Sequence, residues 1–148
     1  MTTASLAISI IFALNVVWFG AAFRYFSLTP DTAARLLVPK SARSSPLFGT
    51  VSASVRFLGG MNFAFAAFAA LLLANRALFP DARQMALFAG VFSIAHASQF
   101  VFNLPVALRG GRQGESLWPV LSGPMLFIFV TDLTLMVANG VLAAALLM

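Results

Sequence analysis

Cysteine is absent from this chain, and charge is absent from most of its length. Without a thiol there is no disulfide catalysis, no thiolate nucleophile and no thiolate metal site, and the redox compartment is left open. Charged residues make up 9% of the 148 positions, against about 25% in an ordinary soluble domain. No Asp, Glu, Lys or Arg occurs in residues 1–23, 57–75 or 84–108, and Asp132 is the only one in residues 116–148. Each stretch is at or near the roughly 20 residues a helix needs to cross a bilayer.

What fills these stretches is apolar: 61% of the chain is hydrophobic, and the mean hydropathy is +0.96. In hydrocarbon the backbone must satisfy its own hydrogen bonds, which leaves helices or a closed barrel. Continuous runs of this length are too long for barrel strands. The expected fold is therefore all-α, a four-helix transmembrane bundle forming one domain over 1–148. Its spans should cover about 4–23, 55–75, 84–108 and 117–147. The first run lacks the basic n-region of a signal peptide, so it reads as an uncleaved span.

The nine Lys and Arg give a formal charge of +5, and their distribution reads as topology, not as nucleic-acid binding. Arg24, Arg35, Lys40, Arg43 and Arg56 belong to the first loop and its edge, and Arg109 and Arg112 to the third. The second loop holds only Arg76 and Arg83. Loops 24–55 and 109–116 should then be cytoplasmic and both termini outside, with Arg24 and Arg56 at the membrane interface. Trp18 and Tyr25 fit the aromatic belt at that boundary.

In the first loop Thr29-Pro30-Asp31 resembles a helix start, with Thr29 as N-cap, Pro30 in the first turn and Asp31 against the helix dipole. A short interfacial helix to about Leu37 should follow, and a polar exposed stretch after it over 40–46. Gly60 and Ala64 have the small-xxx-small spacing of a close helix contact. Pro105 falls in the last turn of the third span.

The informative exceptions are the polar residues inside the spans. His96 is the centre of the third charge-free stretch and Asp132 of the fourth. A short loop should make those helices antiparallel neighbours, which puts both residues near the midplane. An isolated charge there costs about 2.5–3.5 kcal/mol on insertion scales, so a His96–Asp132 hydrogen bond is expected. Ser93, His96, Gln99 and Asn103 follow one helical stripe, and Asn139 lies seven residues beyond Asp132. Asn15 and Asn62 add an amide each. These groups should face inward as a polar core. Two readings of that core stand: interhelical bonding that fixes register, or a ligand pocket or proton path in which His96 and Asp132 titrate. With a single His and the other acids in loops, no metal site is expected, and haem ligation by His96 would need a second axial His from another copy. No catalytic triad, phosphate loop or paired carboxylate site is present.

The run Val55-Arg56-Phe57-Leu58-Gly59-Gly60 and the acidic Asp132 in the last span resemble the small four-helix bacterial membrane proteins of the DoxX-like kind. Phe48-Gly49-Thr50, Val55-Arg56 and Ile94-Ala95-His96 are similar to a second family, the scaffold protein of sterol C-4 demethylation. There Ala97 and Gln99 stand where that family carries an aromatic and then an acid. The second resemblance implies a non-catalytic adaptor for partner enzymes.

The expectation is thus a non-enzymatic accessory or scaffold protein with a lipid-like ligand in a polar core. A small proton-coupled carrier using His96 and Asp132, or a membrane enzyme acting on a lipid or quinone, are the alternatives. The lipid bilayer is the expected partner, with a membrane protein or a second copy beside it. The cofactor is left unknown by the sequence.

Overall fold

A computed structural model describes residues 3–111 and 119–148. Among these the chain is helical and has no strand. Helix α1 (Thr3–Phe23) runs on into a π-helical turn, Arg24–Leu28. A short α2 (Pro30–Leu37) follows, then α3 (Leu47–Ala74), α4 (Ala82–Leu108) and α5 (Gly123–Leu147). The four long helices are each long and apolar enough to cross a membrane. The last starts later than the sequence suggests: Pro119–Ser122 forms a turn, and Gly123 takes a left-handed φ of 56° immediately before Pro124. The expected connection from Arg112 through Trp118 lies outside the described residues.

The buried positions show why these helices form a bundle. On α1 they are Ile8, Phe12, Asn15 and Phe19, and on α5 Met125, Asp132, Leu135, Asn139 and Leu142. Both sets repeat at three and four residues, one seam along each helix. The opposite faces carry Leu6, Ile10, Leu14 and Val17, or Val130, Val137 and Val141, all exposed as lipid-facing side chains must be. Helix α1 packs mainly along α3, and α4 along α5. Phe12, Phe19 and Phe92 are fully buried between the pairs. Phe12 meets Phe92 edge-on at 5.3 Å, and Phe19 stacks on Phe65 at 5.1 Å.

Close approach of the π-helical turn after α1 to α3 depends on Gly59, where the sequence points to Gly60. A Cβ on Gly59 would fall 2.6 Å from the backbone nitrogen of Ser27, whereas one on Gly60 would meet nothing within 4 Å. Gly60 and Ala64 lie on the exposed face of α3. Ser27 fixes the crossing by donating its hydroxyl to the Arg56 carbonyl at 3.0 Å. Arg56 and Arg24 are both exposed.

At the other end Arg76 donates to the Ser5 carbonyl (3.1 Å) and the Ser9 hydroxyl (2.8 Å), tying the α3–α4 connection to the start of α1. Asp81 caps α4 by accepting the Arg83 amide at 2.9 Å.

The interfacial helix forms where expected, but not by the expected cap. Thr29 donates its hydroxyl back to the Tyr25 carbonyl at 2.9 Å and leaves the N-terminus of α2 uncapped by a side chain. Asp31 instead accepts the Ser52 hydroxyl and pins α2 to α3. Arg43, in the stretch expected to be freely exposed, donates to the Arg35 carbonyl (2.8 Å) and the Val38 carbonyl (3.0 Å), which closes the C-terminal end of α2.

Candidate functional site: a proton-bearing polar core beside an apolar cleft

Four of the polar residues singled out in the sequence converge. His96 on α4 and Asp132 on α5 meet at 3.0 Å, Nδ1 to Oδ1, with their side chains 0% and 2% exposed. The other ring nitrogen, Nε2, lies 2.9 Å from Oδ1 of Asn15 on α1. Asn15 and Asn139 face each other as a reciprocal amide pair. The Asn15 nitrogen donates to Asn139 Oδ1 at 2.9 Å, and the Asn139 nitrogen donates to Asn15 Oδ1 at 3.2 Å. Phe19 stacks on the imidazole at 4.6 Å, its plane 18° from parallel. Three helices are thereby joined through one ring.

The hydrogen positions follow from the anchors. Each amide nitrogen also donates to the carbonyl one turn back, Asn15 to Ile11 at 2.9 Å and Asn139 to Leu135 at 2.8 Å. Flipping either amide would turn its oxygen onto a carbonyl oxygen, so both orientations are fixed. Asn15 therefore presents an acceptor to His96, and Nε2 must carry a hydrogen. One further proton then has to lie between Nδ1 and Asp132, held by either partner. In both arrangements the pair carries no net charge, which lowers the cost of placing two titratable groups within the membrane.

A fifth member of this network is one that the sequence marks only as a belt aromatic. The indole N–H of Trp18 is directed into the bundle. Its Nε1 donates to Asp132 Oδ1 at 3.0 Å, the oxygen that also faces His96. The signal available in the sequence is helical spacing, since Trp18 lies three residues from Asn15 and so on a neighbouring face of α1.

The remaining candidates are elsewhere. Asn62 is buried on α3 but bonds its own helix, at the Leu58 carbonyl (2.7 Å), and stands apart from the network. Ser93 crosses to the Met136 carbonyl at 2.9 Å. Asn103 donates to the Gln99 carbonyl at 2.7 Å. Gln99, one turn beyond His96, lines open space between helices.

That space is in two parts. A cleft of about 250 Å³ lies between the end of α1 and the start of α5, walled by Trp18, Ala22, Tyr25, Phe26, Pro124 and Phe127. A second cavity of about 300 Å³ runs under α2, between Leu36, Leu58, Phe102, Asn103 and Met125. Phe26, Gln99 and Ile128 line both. Among the described residues no charged side chain lines either one. Trp18 is thus at once a wall of the cleft and a donor to the buried carboxylate. Its indole packs edge-on against Phe127 at 5.5 Å. Among the described residues no group of three His, Cys, Asp or Glu comes together as a metal site would require.

No protein-family model, curated protein or solved structure matches this chain.

Proposed function

We propose that the protein is a small non-enzymatic membrane accessory or scaffold protein that holds a lipid-like molecule in the cleft between α1 and α5. The observation that carries this reading is the division of labour between core and cleft. His96 commits both ring nitrogens inside the bundle, so neither is aimed at the cleft as a general acid or base. The cleft itself is aromatic and aliphatic, opens beside the polar core, and borders the helix surface that faces lipid. Concave apolar walls with a few polar groups are what a small-molecule site in a helical bundle requires. The resemblance to the sterol-demethylation scaffold is in keeping with an accessory role.

The basic residues of the first and third loops favour a cytoplasmic position for α2 and both termini outside. A reporter fused after Met148 should be active outside the cytoplasm, and a cytoplasmic signal would reverse the assignment. For function, the deciding experiment is native mass spectrometry of the protein released from its own membrane in mild detergent. A retained small lipid, lost when Ala22→Phe fills the cleft, supports the proposal. A bare protein from both wild type and variant refutes the ligand. Co-release of a different membrane protein, abolished by changes in 29–46, would make the scaffold role primary.

A second reading is a small proton-coupled carrier. The observation favouring it is the 3.0 Å contact of His96 with Asp132, whose carboxylate also accepts from Trp18 at the wall of the cleft. Proton uptake into proteoliposomes that vanishes with Asp132→Asn would establish it over the accessory role.

A further inference from the structure

Gln99 sits where an amide should not be left alone. It is nine residues from the end of α4 at Leu108, about 13 Å along the axis at 1.5 Å per residue. Its amide reaches the open space of the cavities, since no buried side-chain nitrogen or oxygen among the described residues lacks a partner, so only a water or a ligand held there can pair with it. The asparagines within the spans are all engaged: Asn15, Asn62, Asn103 and Asn139 each donate to a carbonyl one turn back on the same helix. Gln99 differs. Among the described residues its side-chain amide has no hydrogen-bond partner, and it lies half-buried where the two cavities adjoin.

From this geometry we infer that the two cavities form one site for an uncharged lipid bearing a single carbonyl or ester group, and that Gln99 is its specificity-determining residue. The inference rests on the lipid-binding reading above and names the ligand's chemistry. The amide nitrogen donates to the ligand oxygen. One apolar arm lies in the cleft against Trp18 and Phe127, the other under α2 against Leu36 and Phe102. Phe26 and Ile128, shared by both walls, flank the point where the polar group passes. A charged head is disfavoured by the walls, because no described lining residue supplies a countercharge and an ion between apolar walls is costly. A plain hydrocarbon would fill the same space but leave the Gln99 amide unpaired.

The test uses the full chain in bicelles. The sequence has two tryptophans. Trp118→Phe therefore leaves Trp18, a wall of the cleft, as the reporter. Three brominated quenchers of equal chain length are titrated: methyl dibromostearate, ionised dibromostearate and dibromo-octadecane. The expected result is saturable quenching by all forms that enter, with the ester bound about three- to twentyfold more tightly than the hydrocarbon, the range one hydrogen bond within a membrane provides. Gln99→Met should bring the ester down to the hydrocarbon's level. Gln99→Leu serves the same purpose should the first variant fail to fold, with helical circular dichroism as the control.

Equal binding of ester and hydrocarbon in the wild type would overturn the assignment to Gln99 while leaving an apolar lipid site standing. That outcome would mean water alone partners the amide. Tighter binding of the ionised acid would overturn the uncharged head. No saturable quenching by any of the three would remove the lipid site itself.

Discussion

Replacing Asp132 by Asn changes one atom of the core and leaves its shape, yet the network leaves the new amide no good orientation. In the wild type one oxygen, Oδ1, accepts from Trp18 Nε1 and also faces His96 Nδ1, both at 3.0 Å. If the amide oxygen takes that place, Trp18 stays satisfied. His96 must then donate from both nitrogens, because Nε2 is held against Asn15 Oδ1. That would create an imidazolium without a countercharge, worth about 3–5 kcal/mol when a buried pair is broken. A neutral ring avoids this but leaves one acceptor facing a lone pair. If the amide nitrogen takes the place instead, it donates well to Nδ1, but the indole N–H of Trp18 meets another donor. Both of the cheaper outcomes lose one buried hydrogen bond, about 1–3 kcal/mol. Helices separated in lipid find substitute partners, so the measured value should fall at the lower end, about 1–2 kcal/mol.

The second orientation makes a sharper claim. With Trp18→Phe there is no indole to orphan, so the amide is free to turn toward His96. Asp132→Asn should then cost less than about 0.5 kcal/mol, giving a coupling near the full single-variant cost. The assay is reversible unfolding in bicelles, followed by helical circular dichroism for wild type, both single variants and the double variant. Additive costs, within about 0.5 kcal/mol, would show that Trp18 and His96 do not share one oxygen of Asp132 and would refute the network as drawn.

Three other outcomes follow from the same geometry. Asn15→Leu should destabilise by about 1–3 kcal/mol, since it leaves His96 Nε2 and the Asn139 amide without their partner; Asn62→Leu, which breaks only a bond within its own helix, should cost clearly less in the same unfolding assay. Gly59→Ala should cost about 1–3 kcal/mol by forcing a methyl into Ser27, whereas Gly60→Ala should be close to neutral, and equal effects at the two glycines would contradict the α1–α3 crossing. Arg43→Ala should free the end of α2 without disturbing the bundle, seen as faster amide exchange over 30–38 at an unchanged midpoint of unfolding.

The spans and the meeting of His96 with Asp132 are legible in the sequence for the same reason. Charge is so costly in hydrocarbon that its absence marks the helices and its rare presence marks their interior. Helix rotation is not legible to the same degree. Around α3, as around α1 and α4, the outward-facing residues are as apolar as the core, so the usual contrast between a greasy and a polar face is missing. That is why Gly60 can stand in for its neighbour Gly59, and why Asn62 groups with amides it does not meet. The bond of Trp18 to Asp132 is hidden for a different reason. An indole is amphipathic, and its preference for the interface gives no hint that a buried carboxylate offers its N–H a better acceptor. The caps of α2 depend on contacts across the loop, Ser52 with Asp31 and Arg43 with Arg35, which no local spacing announces.

The π-helical turn at Arg24–Leu28 has a consequence for how this chain tolerates change in length. A π turn holds one residue more than the α-helical turn it replaces. Deleting one residue from 24–28 would therefore not break the first helix but regularise it. Everything beyond the deletion would turn by about 100° relative to the network that anchors Asn15 and Trp18. Phe26 would leave the junction of the two cavities, and Ser27 would leave the backbone notch at Gly59. Such a variant should insert with full helicity and retain its His96–Asp132 core, yet have no cleft. In this segment the chain's length, more than its composition, carries the information for the shape of the cleft.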